Sequence, residues 1–324
     1  MAPIDTIEDM TILEPRLAYR PFRYPWAYEN FHKQSRELFW RPDTISFADD
    51  IQDYKNLPAI EQEFMRKVFT FFVQADADIS AQYVDRYLPV FPQPEVRMML
   101  LSFASMESTH IDAYSKLIES LGLGDYDGFL KYPEMREKHE YLTGGYGGEE
   151  AYSIMWDIAV GSAFGEGLQL FGTFAMLLSY PQRGLFKGMR DVVAWSLRDE
   201  TLHVKGMIQL FETLRREYPS VWTDEFKRSI YQACRDMVEL EDRFVSLVYD
   251  SDMELPNLPK ADIHEYIRYL ADHRLGQLGL KPNYYVKSNP IPWLDMYTLS
   301  LREDLFNNTG TAYQHSSFDV EALW

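Results

Sequence analysis

Apolar residues recur three and four positions apart along almost the whole chain, and the strict alternation of a half-buried strand is scarce. This pattern predicts helices over 28–40, 59–87, 94–121, 151–179, 184–217, 223–250 and 260–278. Pro or Gly stands at the breaks between them: Pro58, Pro92 with Pro94, Gly122 with Gly124, Pro181 with Gly184, and Pro219. The expected fold is therefore all-α. Several of the helices far exceed the usual length of about three turns, which suits a bundle with an internal site. Residues from Tyr126 to Gly148 read as a polar connection with its own short helix, and no domain boundary divides residues 1–305. After Leu280 the chain reads as irregular and packed on the bundle. Residues 306–324 are polar and end in Phe318, Leu323 and Trp324. Such a tail cannot fold alone, and by composition it is either a fraying end or a docking peptide.

Charge inside an apolar run is costly unless it is paired or metal-bound, so the interruptions carry the information. Glu107 and His110 interrupt a run containing Met99, Leu100, Phe103 and Ile111, and Glu200 and His203 follow Val192, Val193, Trp195 and Leu197. A helix turns about 100° per residue, so each Glu-x-x-His offers one carboxylate and one imidazole to the same side. A third such pair, Glu29 and His32, lies among Asn30, Lys33, Gln34 and Arg36 and reads as polar surface.

In carboxylate-bridged dinuclear bundles, two helices supply a Glu-x-x-His each and two more supply one carboxylate each. Glu166 is the central acid of the apolar stretch from Ile154 to Leu178, and Asp157 lies about 180° around that helix. Asp76 and Asp78 are about 200° apart, so only one faces inward; spacing leaves both open, with a lean to Asp76. Four carboxylates and two imidazoles suit iron or manganese better than a thiolate-bound zinc. A buried salt-bridge network would need cations, and the central helices offer none between Arg97 and Lys116 or between Arg190 and Arg198. Tyr114 lies about 20° off the direction of Glu107 and roughly 10 Å along the axis, on the metal-facing side. It is either a core tyrosine or, beside an oxygen-activating metal pair, an oxidisable one.

Composition narrows the field. Hydrophobic residues make up 46% of the chain and aromatic residues 15%, enough for a sizeable core. A net charge of −18 argues against phosphate contacts with nucleic acid. The stretch from Ile154 to Leu178 could span a bilayer, but Asp157, Glu166 and Gln169 favour a buried core helix, so no membrane partner is expected. One cysteine, Cys234, excludes an internal disulfide and any dithiol chemistry within the chain. With an N-terminus that lacks the basic and apolar regions of a signal peptide, it points to the cytoplasm. There is no phosphate-binding glycine loop.

Several stretches resemble the small, radical-generating subunit of class I ribonucleotide reductase, a ferritin-like helical bundle. They are Tyr24-Pro-Trp-Ala-Tyr28, Leu38-Phe-Trp-Arg-Pro-Asp43, Met106-Glu-Ser-Thr-His-Ile-Asp-Ala-Tyr114, Gly165-Glu-Gly-Leu-Gln-Leu-Phe171, Leu197-Arg-Asp-Glu-Thr-Leu-His203 and Asn289-Pro-Ile-Pro-Trp293. The resemblance covers most of the chain, and its spacings resolve the earlier choice toward Asp76. It implies that Asp76, Glu107 and His110 bind one metal and Glu166, Glu200 and His203 the other, with Glu107 and Glu200 as bridges. The dinuclear centre would hold iron first, with manganese or a mixed pair as alternatives. Tyr114 would carry the radical, and Trp40, Asp199 and His110 would form the relay. Tyr313, the only tyrosine beyond Leu305, would pass the radical to the large subunit, on which the 306–324 tail docks. A homodimer is implied as well.

The reading fits the single cysteine, since ribose reduction needs thiols that must then lie on another chain. The expected lining of the tyrosine, Leu170, Phe174 and Ser196, is less bulky and more polar than the family suggests. Two rivals share the bundle. An oxygen-activating oxidase or monooxygenase would open onto a substrate pocket and lack the relay and tail. A ferritin-like iron store would be shorter and lack Tyr114.

Overall fold

The computed structural model describes residues 11–15, 21–124, 128–145, 147–148, 150–250, 253–295 and 297. The 306–324 tail, Tyr313 and the boundary at 305 lie outside the described residues. Nine helices are named in chain order: α1 (Ala27–His32, continued by Lys33–Glu37), α2 (Ala48–Asn56), α3 (Ala59–Ala81, continued by Gln82–Tyr87 and Leu88–Val90), α4 (Pro94–Leu121) and α5 (Pro133–Gly144). There follow α6 (Ala151–Asp157, Ile158–Leu170 and Phe171–Leu178), α7 (Lys187–Glu217), α8 (Asp224–Val248) and α9 (Lys260–Gln277). No strand occurs among the described residues, where one isolated bridge joins Leu255 to Leu258.

The local signals that end these helices are the expected ones. Pro94 starts α4, where its missing N–H costs nothing, and Gly122 ends it at φ 74°, with the Leu123 amide returning to the Ile118 carbonyl at 3.0 Å. Thr223 caps α8 by accepting from the Phe226 amide at 3.2 Å. Helices α3, α4, α7 and α6 pack in turn around a closed four-sided ring. Helix α1 lies on α4, α5 bridges α3 and α8, and α8 and α9 cover the outer face of α6.

The structure departs from the expected elements in three places. The helix predicted over 28–40 stops at Glu37, so Trp40 sits in irregular chain beyond it. Helices α1, α3 and α6 do not keep one period: Ala27–His32, Gln82–Tyr87 and Ile158–Leu170 are wide, i→i+5 turns. Such turns mark functional sites more often than ordinary helix does. All thirteen residues of the last segment, Glu166 among them, are buried. Helix α2 was not foreseen, and it anchors the start of α7. Asp50 accepts from the amides of Gly188 (2.9 Å) and Met189 (2.7 Å), and Asp53 from that of Phe186 (2.7 Å). These carboxylates satisfy free N–H groups at the positive end of the helix dipole. They also hold Phe186 at φ 55°, a conformation that costs a non-glycine residue energy.

Two buried polar devices tie the outer helices to one another and to the ring. Lys138 of α5 and Glu241 of α8 form a fully buried ion pair at 2.5 Å, with the ammonium 3.6 Å from the ring centre of Phe71 and 4.1 Å from that of Phe244. Arg274 of α9 donates through Nε to the Gly167 carbonyl at 2.8 Å. A Cβ on Gly167 would stand 2.5 Å from that same Nε, so the contact requires glycine.

Candidate metal centre

Glu107 and His110 project from α4, Glu200 and His203 from α7, Glu166 from the wide-turn segment of α6 and Asp76 from α3; all six are buried. The two central glutamates each span both histidines. Glu107 places Oε2 3.3 Å from His110 Nδ1 and Oε1 2.8 Å from His203 Nδ1. Glu200 places Oε1 3.3 Å from His110 Nδ1 and Oε2 3.4 Å from His203 Nδ1. Glu166 Oε1 lies 3.8 Å from His203 Nδ1. Ligand atoms of Glu107, Glu166, Glu200 and His203 all lie within 4.8 Å of one another. Asp76 and His110 fall outside that group of four. Asp76 completes the opposite side, where His110, Glu107 and Glu200 are its main electrostatic neighbours.

These groups converge without satisfying one another. Asp76 Oδ2, Glu107 Oε1, Glu166 Oε2, both Glu200 oxygens and His203 Nδ1 are buried and make no hydrogen bond of good geometry. Even the 2.8 Å approach of Glu107 to His203 is misaligned for one. Orphaned buried acceptors are expensive. Two divalent cations would meet them and balance four carboxylates against two neutral imidazoles, so the donor set fits a metal pair.

The electrostatics carry the same strain. Burial raises Asp76 and Glu166, and Glu200 pushes Glu166 up further. For Glu107 burial acts upward too, yet His110 and His203 outweigh it and leave the carboxyl at about 2. Burial opposes charge on His203, but Glu200 and Glu107 overcome it and hold the imidazole up to about 10. His110 is raised against the same burial by Glu107, Asp199 and Glu200.

Behind His110 lies an aromatic connection. Its Nε2 is 3.2 Å from Asp199 Oδ2, the oxygen that also accepts from Trp40 Nε1 at 2.8 Å. With Nδ1 turned to the carboxylates, Nε2 carries the proton given to Asp199, which fixes the ring orientation. Arg198 donates to Asp199 Oδ1 at 3.0 Å and to the Leu38 carbonyl at 2.6 Å, so α7 does bring one cation to the edge of the site. Asp78 points elsewhere, to His139 at 2.6 Å and Gln74 at 2.7 Å, and Asp157 faces Arg86. Glu29 pairs with Lys33 on the surface, as its polar setting implied.

Tyr114 is fully buried. Burial raises its phenol, helped by the charge of Asp76, while the Ser196 hydroxyl acts to lower it. Neither hydroxyl completes a well-aligned hydrogen bond. The ring lies 4.4 Å from that of Phe72, and Phe174 stands behind Phe72 at 5.4 Å. Phe72 is thus an aromatic wall that the expected lining omitted. Sequence reasoning also missed Tyr83, whose hydroxyl donates to Glu166 Oε1 at 2.5 Å. Tyr83 follows Asp76 by seven positions, the interval that singled out Tyr114 after Glu107, and that signal was available.

Residues 16–290 match the family model described as ribonucleotide reductase, small chain. The chain is 36% identical to the probable ribonucleoside-diphosphate reductase small subunit 376L of Invertebrate iridescent virus 6, over 95% of this chain and 96% of the viral protein. Its fold is similar to that of the ribonucleotide reductase R2 subunit from Clostridium botulinum, with a TM-score of 0.80 at 23% identity over 85% of this chain and 89% of that one. It is also similar to dimanganese(II) NrdF of Streptococcus sanguinis, with a TM-score of 0.77 at 19% identity over 88% of this chain and 99% of that one. No helix among the described residues is long and apolar enough to cross a membrane. A match over most of the length, together with the buried carboxylate and imidazole cluster, places the chain in the ribonucleotide reductase small-chain family, as an oxidoreductase subunit.

Proposed function

We propose that this subunit holds a dinuclear metal centre on Asp76, Glu107, His110, Glu166, Glu200 and His203 and uses it to keep a radical on Tyr114. One observation carries the reading: each of two buried glutamates lies between both imidazoles, as bridging ligands do, with an unpartnered phenol beside them. The bound metal pair would supply the oxidising power, drawn from molecular oxygen. The protein's own groups do the rest. Asp76 and His110 belong to one half of the centre and Glu166 and His203 to the other, while Phe72 and Phe174 keep water from the Tyr114 ring. Iron is the native metal we favour. Manganese or a mixed pair suits the same donors, and a dimanganese relative has this fold.

Trp40, Asp199 and His110 then connect the centre to the edge of the bundle, with Asp199 keeping the indole proton in place. Tyr313 and the 306–324 tail would continue the path to the large subunit, and two small subunits would pair. The large subunit would provide the thiols, because a dithiol cannot be built from the single, buried Cys234, whose thiol burial pushes up to about 12. Metal-free protein given Fe(II) and oxygen should develop a tyrosyl radical signal in EPR. Tyr114→Phe should take up the same metal and show no such signal; an equally strong one would remove Tyr114 from its role.

A further inference from the structure

The carboxylates at the two ends of the cluster are held differently. Glu166 Oε1 accepts from the Tyr83 hydroxyl at 2.5 Å, whereas Asp76 Oδ2 at the other end is buried with no partner. The phenol that holds Glu166 is caged. Tyr83 is 1% exposed, and its ring centre lies 5.8 Å from those of His203, Phe103 and Tyr87, each standing edge-on to it. The backbone beneath it is fixed too. The wide turns of α3 and α6 meet at Gly161, where a Cβ would stand 2.8 Å from the Tyr87 hydroxyl and closer still to the Gln82 side-chain oxygen. Across the same seam Tyr87 donates to the Asp157 carbonyl at 3.0 Å. Tyr83 stands in one of these segments and Glu166 in the other, so the seam sets the distance between phenol and carboxylate.

A carboxylate meets an ion through one oxygen or through both, and the hydrogen bonds it accepts decide how it is turned. Chelation would bring both Glu166 oxygens to the ion and draw Oε1 away from a phenol that cannot follow. We propose that Tyr83 is a positioning residue that keeps Glu166 a one-oxygen ligand and so reserves a place on the His203-side ion for a small exchangeable ligand. Water would fill that place in the resting site and oxygen during activation. The inference rests on the dinuclear reading above. Nothing is oxidised or transferred at Tyr83, whose hydroxyl acts only as a donor.

Mn(II) is the probe, because it needs no oxygen and its electron spins report the waters bound to it. Tyr83→Phe removes the donor and keeps the ring. Placing 4-fluorophenylalanine at position 83 also fills the space of the hydroxyl, and 4-aminophenylalanine restores a donor. Each protein, loaded with Mn(II), is assayed for metal content, and pulsed EPR in oxygen-17-enriched water counts the bound waters. Wild type and the amino variant should bind two ions and equal numbers of waters, while both donor-free variants bind two ions and one water fewer. Should Tyr83→Phe fail to fold, the nearly isosteric fluoro variant decides. A water count in the donor-free variants equal to or above that of wild type overturns the proposal. So does an amino variant that behaves like Tyr83→Phe, since ring shape and not the donor would then matter. Loss of an ion from the donor-free variants overturns it as well, because the tether would then build the site and not spare a place on it. Wild type that fails to bind two Mn(II) would instead sink the dinuclear reading.

Discussion

Glu107 and Glu200 each face two imidazoles, and this double role shapes the pH behaviour of the site. Without metal, neighbouring carboxylates hold His203 up to about 10 and raise His110, so both rings are drawn toward their protonated forms. A metal ligand must give up its proton, so loading releases protons and is opposed by acid. Titrating metal-free protein with Mn(II) at pH 7 in weak buffer should acidify the solution, and the apparent affinity should rise with pH. Uptake with no proton release would contradict protonated imidazoles in the metal-free site. Glu107, His110, Glu200 and His203 were legible in the sequence because charge in an apolar run has few cheap explanations. Asp76 and Asp78 could not be separated by spacing, since what divides them is His139, brought from a distant helix to pair with Asp78. Phe72 gave no signal at all, because one phenylalanine in an aromatic run looks like any other.

Helices were legible where their apolar stripe is continuous, as in α4 and α8, and less so where another force shapes the chain. Helix α2, Ala-Asp-Asp-Ile-Gln-Asp-Tyr-Lys-Asn, is short and polar, with Ile51 and Tyr54 as its large apolar residues, while Asp50 and Asp53 accept from the first amides of α7. The wide turns of α3 and α6 escaped because a period of 3.6 was assumed throughout. The link between α5 and α8 sets a second expectation at this scale. Lys138 is fully buried, which lowers its ammonium to about 8, and Glu241 is its charged partner. Glu241→Ala leaves that cation alone in the core and should cost about 3–5 kcal/mol, read as a lower urea midpoint. Lys138→Met combined with Glu241→Leu should recover much of the loss. If the single and double variants are equally unstable, the pair matters for shape and not for charge.

At the scale of the whole molecule, the all-α class and one continuous core were legible from periodicity and composition. The contact between Trp40 and Asp199 was not. Trp40 sits in irregular chain past α1 and meets Asp199 only when that segment folds back onto α7, so resemblance alone pointed to it. The tail belongs to this scale too. Removing residues 306–324 should leave helix content, metal uptake and the Tyr114 signal intact while abolishing turnover with the large subunit. A variant that loses the radical as well would make the tail part of the bundle.

The clasp between Arg274 and Gly167 joins positions far apart along the chain, and it has a consequence for inheritance. A side chain at 167 would have to displace the guanidinium that donates to the Gly167 carbonyl. The two positions are therefore expected to change together, which ties the wide-turned stretch bearing Glu166 to α9.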